Sequence, residues 1–197
     1  MIPFEILFAV IPFALAATLT PGPNNMIVLA AGLRGGFSGA VPVIMGVAVG
    51  ITIMIPVVGI GLGALFQTFP QLYVVLKFAG VAYLLYLAWR VHRATVADAR
   101  EDRGPGFLGM VGFQWINPKA WAIAIGAVTA YAPADAVVAG SLVIALGFLL
   151  VSIVSQSVWA GFGTGLRRFL QNPVNRQRCN TGMAIVLVLS VLPTVFG

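Results

Sequence analysis

Thr20-Pro-Gly-Pro-Asn-Asn25 and Asn117-Pro-Lys119 place helix breakers beside polar side chains in otherwise apolar surroundings, with Gln114 just before the second stretch. Thr and Asn are good N-cap residues, and proline suits the first helical position because its missing N–H would be unpaired there in any case. Thr20-Pro21 and Asn117-Pro118 therefore each predict the start of a new half-helix. Such a start leaves backbone N–H groups without partners and carries the positive end of the helix dipole, which favours an anion such as a carboxylate. Lys119 would add a full positive charge beside the second start. A simple kink is the commoner meaning of one proline. Here two prolines, a glycine and two asparagines coincide, and a second break answers the first. The chemistry on offer is recognition of a small anionic or zwitterionic group. Thr20, Pro21, Gly22, Pro23, Asn24, Asn25, Asn117, Pro118 and Lys119 are the candidate substrate-binding residues. Gln114, three residues before Asn117 and hence on the same helix face, joins them. So does Tyr83, although an aromatic in a membrane helix more often packs or sits in an interface belt.

Catalysis has little to work with. The sequence holds no nucleophile–histidine pair, no phosphate-cradling loop and no clustered metal ligands, so no enzyme activity, cofactor or metal is expected. Cys179 is the single cysteine, which excludes an intrachain disulfide. Lys119 sits near the middle of an apolar segment of about 25 residues, roughly 18 Å from either end. Its stem spans only about 6 Å, so its ammonium must face a cavity or a partner. It either binds a substrate carboxylate or titrates, or else it pairs with backbone carbonyls or a carboxylate and holds two helices together. Lys77, Glu5 and Asp135 fall near segment ends, and His92 sits among basic residues at an interface. No carboxylate lies at mid-segment, which leaves proton coupling with few candidates.

The elements that must position these residues are apolar. Of 197 residues, 60% are hydrophobic and 8% charged, and the mean hydropathy is +1.01. A soluble domain carries about 25% charged residues to coat its surface. The chain is therefore expected to be an all-α membrane protein whose outer surface meets lipid. A crossing helix needs about 20 apolar residues. Six such segments are expected, over residues 3–31 (broken at 21–23), 39–65, 72–89, 107–131 (broken at 117–118), 136–162 and 181–196. Arg34, Arg90, Arg93, Arg100, Arg103, Arg167, Arg168, Arg176 and Arg178 then all fall in the first, third and fifth loops. Both termini should accordingly lie outside the cytoplasm. The same loop basicity accounts for the net charge of +6 without a nucleic-acid partner. The N-terminus lacks a positive n-region and reads as a retained first helix.

One transmembrane domain, 1–197, is expected. It divides into three-helix repeats over 1–95 and 105–197, with helices 1 and 4 discontinuous. An odd number of crossings per half makes the repeats inverted, as in many secondary transporters. Gly46 and Gly50, Gly59 and Gly63, and Gly161 and Gly165 have the small-xxx-small spacing of close helix contacts, within one chain or between copies of a homo-oligomer.

Several blocks resemble the LysE/RhtB superfamily of amino-acid exporters. They are the 20–25 stretch, Gly32-Leu-Arg-Gly-Gly36, Gly46-Val-Ala-Val-Gly50, Lys77-Phe-Ala-Gly-Val-Ala-Tyr-Leu-Leu-Tyr-Leu-Ala-Trp89 and Phe113-Gln-Trp-Ile-Asn-Pro-Lys-Ala-Trp121. The paired asparagines and the 80–89 block look closest to the cysteine/O-acetylserine exporter branch. The loop after Gly32 departs from many relatives in carrying a single arginine. The resemblance implies a bacterial inner-membrane protein that exports amino acids or their derivatives from the cytoplasm, driven by the membrane potential or a proton gradient. A zwitterion would fit, its carboxylate at the helix starts and Lys119, its ammonium at Asn24 and Asn25. The alternatives are a structural or assembly membrane protein without transport activity, or a membrane enzyme acting on lipid or a thiol.

Overall fold

The computed structural model describes residues 3–62, 68–93, 104–167, 169 and 172–196, and all regular structure among them is helical. The helices are α1 (Pro3–Leu19), α2 (Pro23–Val57, continued by a π-helical turn, Val58–Leu62), α3 (Pro70–Arg93), α4 (Phe107–Gln114), α5 (Pro118–Tyr131), α6 (Val137–Leu166) and α7 (Pro173–Phe196).

α2 is two arms. At Gly36 the backbone takes φ +70° and ψ −171°, a left-handed conformation open to glycine because it lacks a Cβ. Gln114 shows what this does to the chain. Its side chain bonds Asn24 on the first arm and packs so close to Gly50 on the second that a Cβ there would lie 2.5 Å away. The 26 residues from 24 to 50 would span about 39 Å as straight helix. The arms therefore double back on each other at Gly36, where a short loop between the first two segments was expected.

Other boundaries also move. α3 runs on to Arg93, and α7 starts eight residues before the expected 181, at Pro173. Arg34, Arg90, Arg93, Arg176 and Arg178 thus lie on helices rather than in loops. Long cationic side chains reach water from a helix end, so a helix need not stop where its charges begin. Lys77 and Tyr83 lie on α3, but their side chains, like residues 94–103, fall outside the described residues.

α6 shows how the chain meets its surroundings. Leu142, Leu146, Leu150, Val154, Val158 and Phe162 recur every fourth residue, hence on one face, and each is 45–63% exposed. Such an unbroken apolar row suits hydrocarbon, not water. The opposite face carries Ser141, Ala145, Phe148, Ser152, Ser155 and Gln156, all buried. α2 with its π-turn and α6 are each long and apolar enough to cross a bilayer.

Two apolar clusters flank the centre. One joins the arms of α2 to α4 and, through Ala88, Met183 and Ala184, to α3 and α7. The other joins α1, the end of α2, α5 and α6 around Val10, Met54, Ala124 and Phe148. The most extensive helix contact, α2 on α6, is set by glycine. A Cβ on Gly163 would collide with the Leu29 carbonyl, and one on Gly32 with the Ala160 carbonyl. Gly46 packs likewise against the backbone of α4 and Gly59 against Ser141, whereas none of the described residues lies within 4 Å of a Cβ on Gly161 or Gly165.

These positions separate two kinds of glycine. Gly163→Ala should cost about 1–3 kcal/mol through overpacking, seen as a lower thermal unfolding midpoint in detergent. Gly161→Ala, which meets open space, should leave that midpoint unchanged or slightly raised.

Candidate functional site

The first break is built by two helix ends. Thr20 finishes α1: its N–H donates to the Ala16 carbonyl at 3.1 Å, and its hydroxyl donates to the same oxygen. It therefore does not cap the following helix, contrary to the expectation from Thr20-Pro21. That place belongs to Gly22, which is extended (φ −177°, ψ −175°) and offers no side-chain cap, and Pro23 takes the first helical turn of α2. The residue pair carrying the start lies two positions later because the Thr20 hydroxyl is drawn back to the i−4 carbonyl.

The second break follows expectation locally. Asn117 is extended (φ −86°, ψ 106°), its Oδ1 accepts from the Lys119 N–H at 3.1 Å, and Pro118 opens α5. Gln114 ends α4, so it shares no helix with Asn117. A turn through residues 115–117 brings the two together instead, closed by Asn117 N–H donating to the Gln114 carbonyl. Trp121 braces this turn: its Nε1 donates to the Trp115 carbonyl at 2.9 Å, and the two rings meet edge to face at 5.9 Å.

The breaks join through side chains. Asn24 and Gln114 exchange amide hydrogen bonds at 3.0 and 3.1 Å, and Asn117 Nδ2 donates to Asn24 Oδ1 at 3.4 Å. Asn25 Nδ2 donates to the carbonyls of Thr18 (3.0 Å) and Thr20 (2.9 Å), while its Oδ1 accepts from Gln156 of α6. Lys119 Nζ donates to the Thr20 carbonyl at 2.7 Å. The last carbonyls of α1, which have no helical partner, thus receive an amide and an ammonium, and the ammonium sits at the negative end of the α1 dipole. Gly22 makes this approach feasible, since a Cβ there would lie 3.0 Å from Lys119 Nζ and 3.2 Å from its Cδ.

Between the breaks lies a cavity of about 30 Å³. Gly22, Pro23, Asn24, Asn25, Gln114, Asn117 and Lys119 line it, together with Thr18 and Ala17 of α1, Val47 and Ile51 of the returning arm, and Phe148, Ser152 and Gln156 of α6. It has room for about two ordered waters. Gln114, Asn117 and Asn25 are buried, and Thr20 and Pro21 are exposed at the bend. Thr20, Pro21 and Pro118 shape the backbone without lining the cavity. In this state Asn24 and Asn25, expected to meet a substrate ammonium, both have their amide groups bonded to protein groups. The contribution of α6 was not foreseen. Ser152 and Gln156, four residues apart and so on one helix face, were the signal available for it. No group of three or more metal-capable side chains occurs among the described residues.

The chain has recognisable relatives. Residues 15–191 match the family described as LysE type translocator. A cysteine/O-acetylserine efflux protein of Salmonella paratyphi A is 34% identical over 109 residues, 54% of this chain and 55% of that protein. A homoserine/homoserine lactone efflux protein of Salmonella typhimurium is 26% identical over 194 residues, 94% of each. The chain spans about half the length of the first relative and nearly all of the second. No solved structure matches. The family match runs from the end of α1 into α7 and takes in both breaks, and on that ground the chain belongs to the LysE type translocator family.

Proposed function

We propose that the protein is a secondary transporter that exports small amino acids or their derivatives from the bacterial cytoplasm, binding them between the two breaks. Its family consists of translocators, not enzymes, and the relatives named above are efflux proteins. The observation that carries the reading is the 2.7 Å contact between Lys119 Nζ and the Thr20 carbonyl, which puts a mid-chain cation and two helix ends at one cavity.

The groups suit a zwitterion. Gly22 gives no side-chain cap, so the first-turn amides of α2 can receive a carboxylate, whereas Asn117 already caps α5. That makes the α2 start the better anion site, with Lys119 beside it. The Thr20 carbonyl, now holding the lysine ammonium, is the matching place for the substrate's ammonium. Arrival of a zwitterion would hand Lys119 from the carbonyl to the carboxylate and keep both charges paired throughout. The present cavity is smaller than an amino acid, so binding requires its walls to part. A second reading takes the lysine contact as a purely structural clasp between breaks.

We read 1–95 and 105–197 as inverted repeats, with α1 and the first arm of α2 as one interrupted span and α4 with α5 as the other. Gly22-Pro23 and Asn117-Pro118 then occupy corresponding N-cap and first-turn positions. The proximity of Arg34 to Gly104, and of Arg167 to Gly36, supports a shared side for the arginine-bearing turns. By the positive-inside rule that side is cytoplasmic.

Export should separate the two readings of the lysine. Lys119→Met and Asn24→Ala are expected to insert normally and lose about tenfold or more in amino-acid counterflow, in line with loss of a charge-assisted hydrogen bond at Lys119 and of an amide pair at Asn24. Normal counterflow in both would sink the proposed site, and loss of folded protein alone would favour the clasp. For orientation, a periplasm-dependent reporter fused after the C-terminus should be active, and one inserted at residues 94–103 inactive.

A further inference from the structure

Ser152, Ser155, Gln156 and Trp159 follow one another on α6 at i, i+3, i+4 and i+7, a single helix face. The two hydroxyls, Gln156 Oε1 and Trp159 Nε1 are all buried without a hydrogen-bond partner among the described residues. Ser152, Ser155 and Gln156 are each at most 1% exposed. Hydroxyls in apolar helices commonly bond back to the i−4 carbonyl. Thr18, Thr52 and Thr164 do so here, to Ala14, Ala48 and Ala160. Ser152 and Ser155 do not. Their polarity is uncommitted, and a buried group in that condition is unfavourable unless something else pairs with it.

The row begins at the cavity, which Ser152 and Gln156 line, and climbs about 10 Å along α6 toward its Arg167 end. It stops at the contact of Ala160 and Gly163 with Gly32 and Leu29, where backbones touch and nothing can pass. We infer that this row is the arginine-side limb of the transport route: a hydrated track between α2 and α6, shut in this state at the Gly32–Ala160–Gly163 crossing. The row carries hydroxyl, amide and indole groups but no charged side chain, which suits a small amino acid without net charge on its own side chain. The inference rests on the transport reading above and extends it to the path and the cargo class.

Thiol labelling tests it, because a cysteine reacts as its thiolate, which forms where water reaches it. In a Cys179→Ser background, Ser152→Cys and Ser155→Cys are near-isosteric probes, and Val154→Cys and Val158→Cys on the outward face are controls. A membrane-impermeant cationic methanethiosulfonate, applied to full-length protein in permeabilised membranes, should label positions 152 and 155 about tenfold faster than the controls. Labelling of Ser155→Cys should also block counterflow. Labelling at 152 and 155 no faster than at 154 and 158 would overturn the inference. Labelling reads water and not cargo, so this outcome is independent of whether Lys119→Met still transports.

Discussion

The ammonium of Lys119 on the carbonyl of Thr20 is the constraint around which the centre of this protein is arranged. Each helix end leaves backbone groups without a helical partner, amides at the start and carbonyls at the finish. Here the ends of different helices supply each other. The tail of α1 takes a cation that the start of α5 provides, and the Asn25 amide closes what remains. Remove the positive charge and the carbonyl at the bend loses its strongest partner. Remove the bend and the charge loses the carbonyl that holds it. Each makes the other tolerable, which is why a lysine and two helix breaks occur together in so apolar a chain.

Polar groups elsewhere at this depth are organised by the same requirement. Asn24, Gln114 and Asn117 form a small amide network whose members come from α2, the end of α4 and the turn before α5. Three short-range features meet in it: a helix end, a capped helix start and a glycine arm packed against the Gln114 stem. Since the arm turns at Gly36, Gly50 reaches Gln114 alongside Asn24, and the network is covered from both sides.

Much of the architecture could be read from residue patterns. The apolar runs mark the helices, and Asn117-Pro118 marks a helix start, because an N-cap side chain and a proline act through neighbours one to three residues away. Features that depend on remote partners were harder. Thr20-Pro21 reads as the start, but the Thr20 hydroxyl bonds the Ala16 carbonyl that a finished α1 presents, and the start falls at Gly22-Pro23. The absence of a loop around Gly36 turns on one left-handed residue. The paired glycines at 161 and 165 have the spacing of a close contact, yet within the chain that contact falls to Gly163 and Gly32. Spacing tells which residues share a face, but not which face a partner will meet.

The reversal at Gly36 has a mechanical consequence. A flexible loop would absorb displacement, letting one wall of the cavity shift while the other stayed put. With the two arms of α2 joined at one left-handed residue, there is almost no slack between them. Asn24 on one arm and Gly50 on the other both meet Gln114, so that one side chain ties together two stretches of chain 26 residues apart.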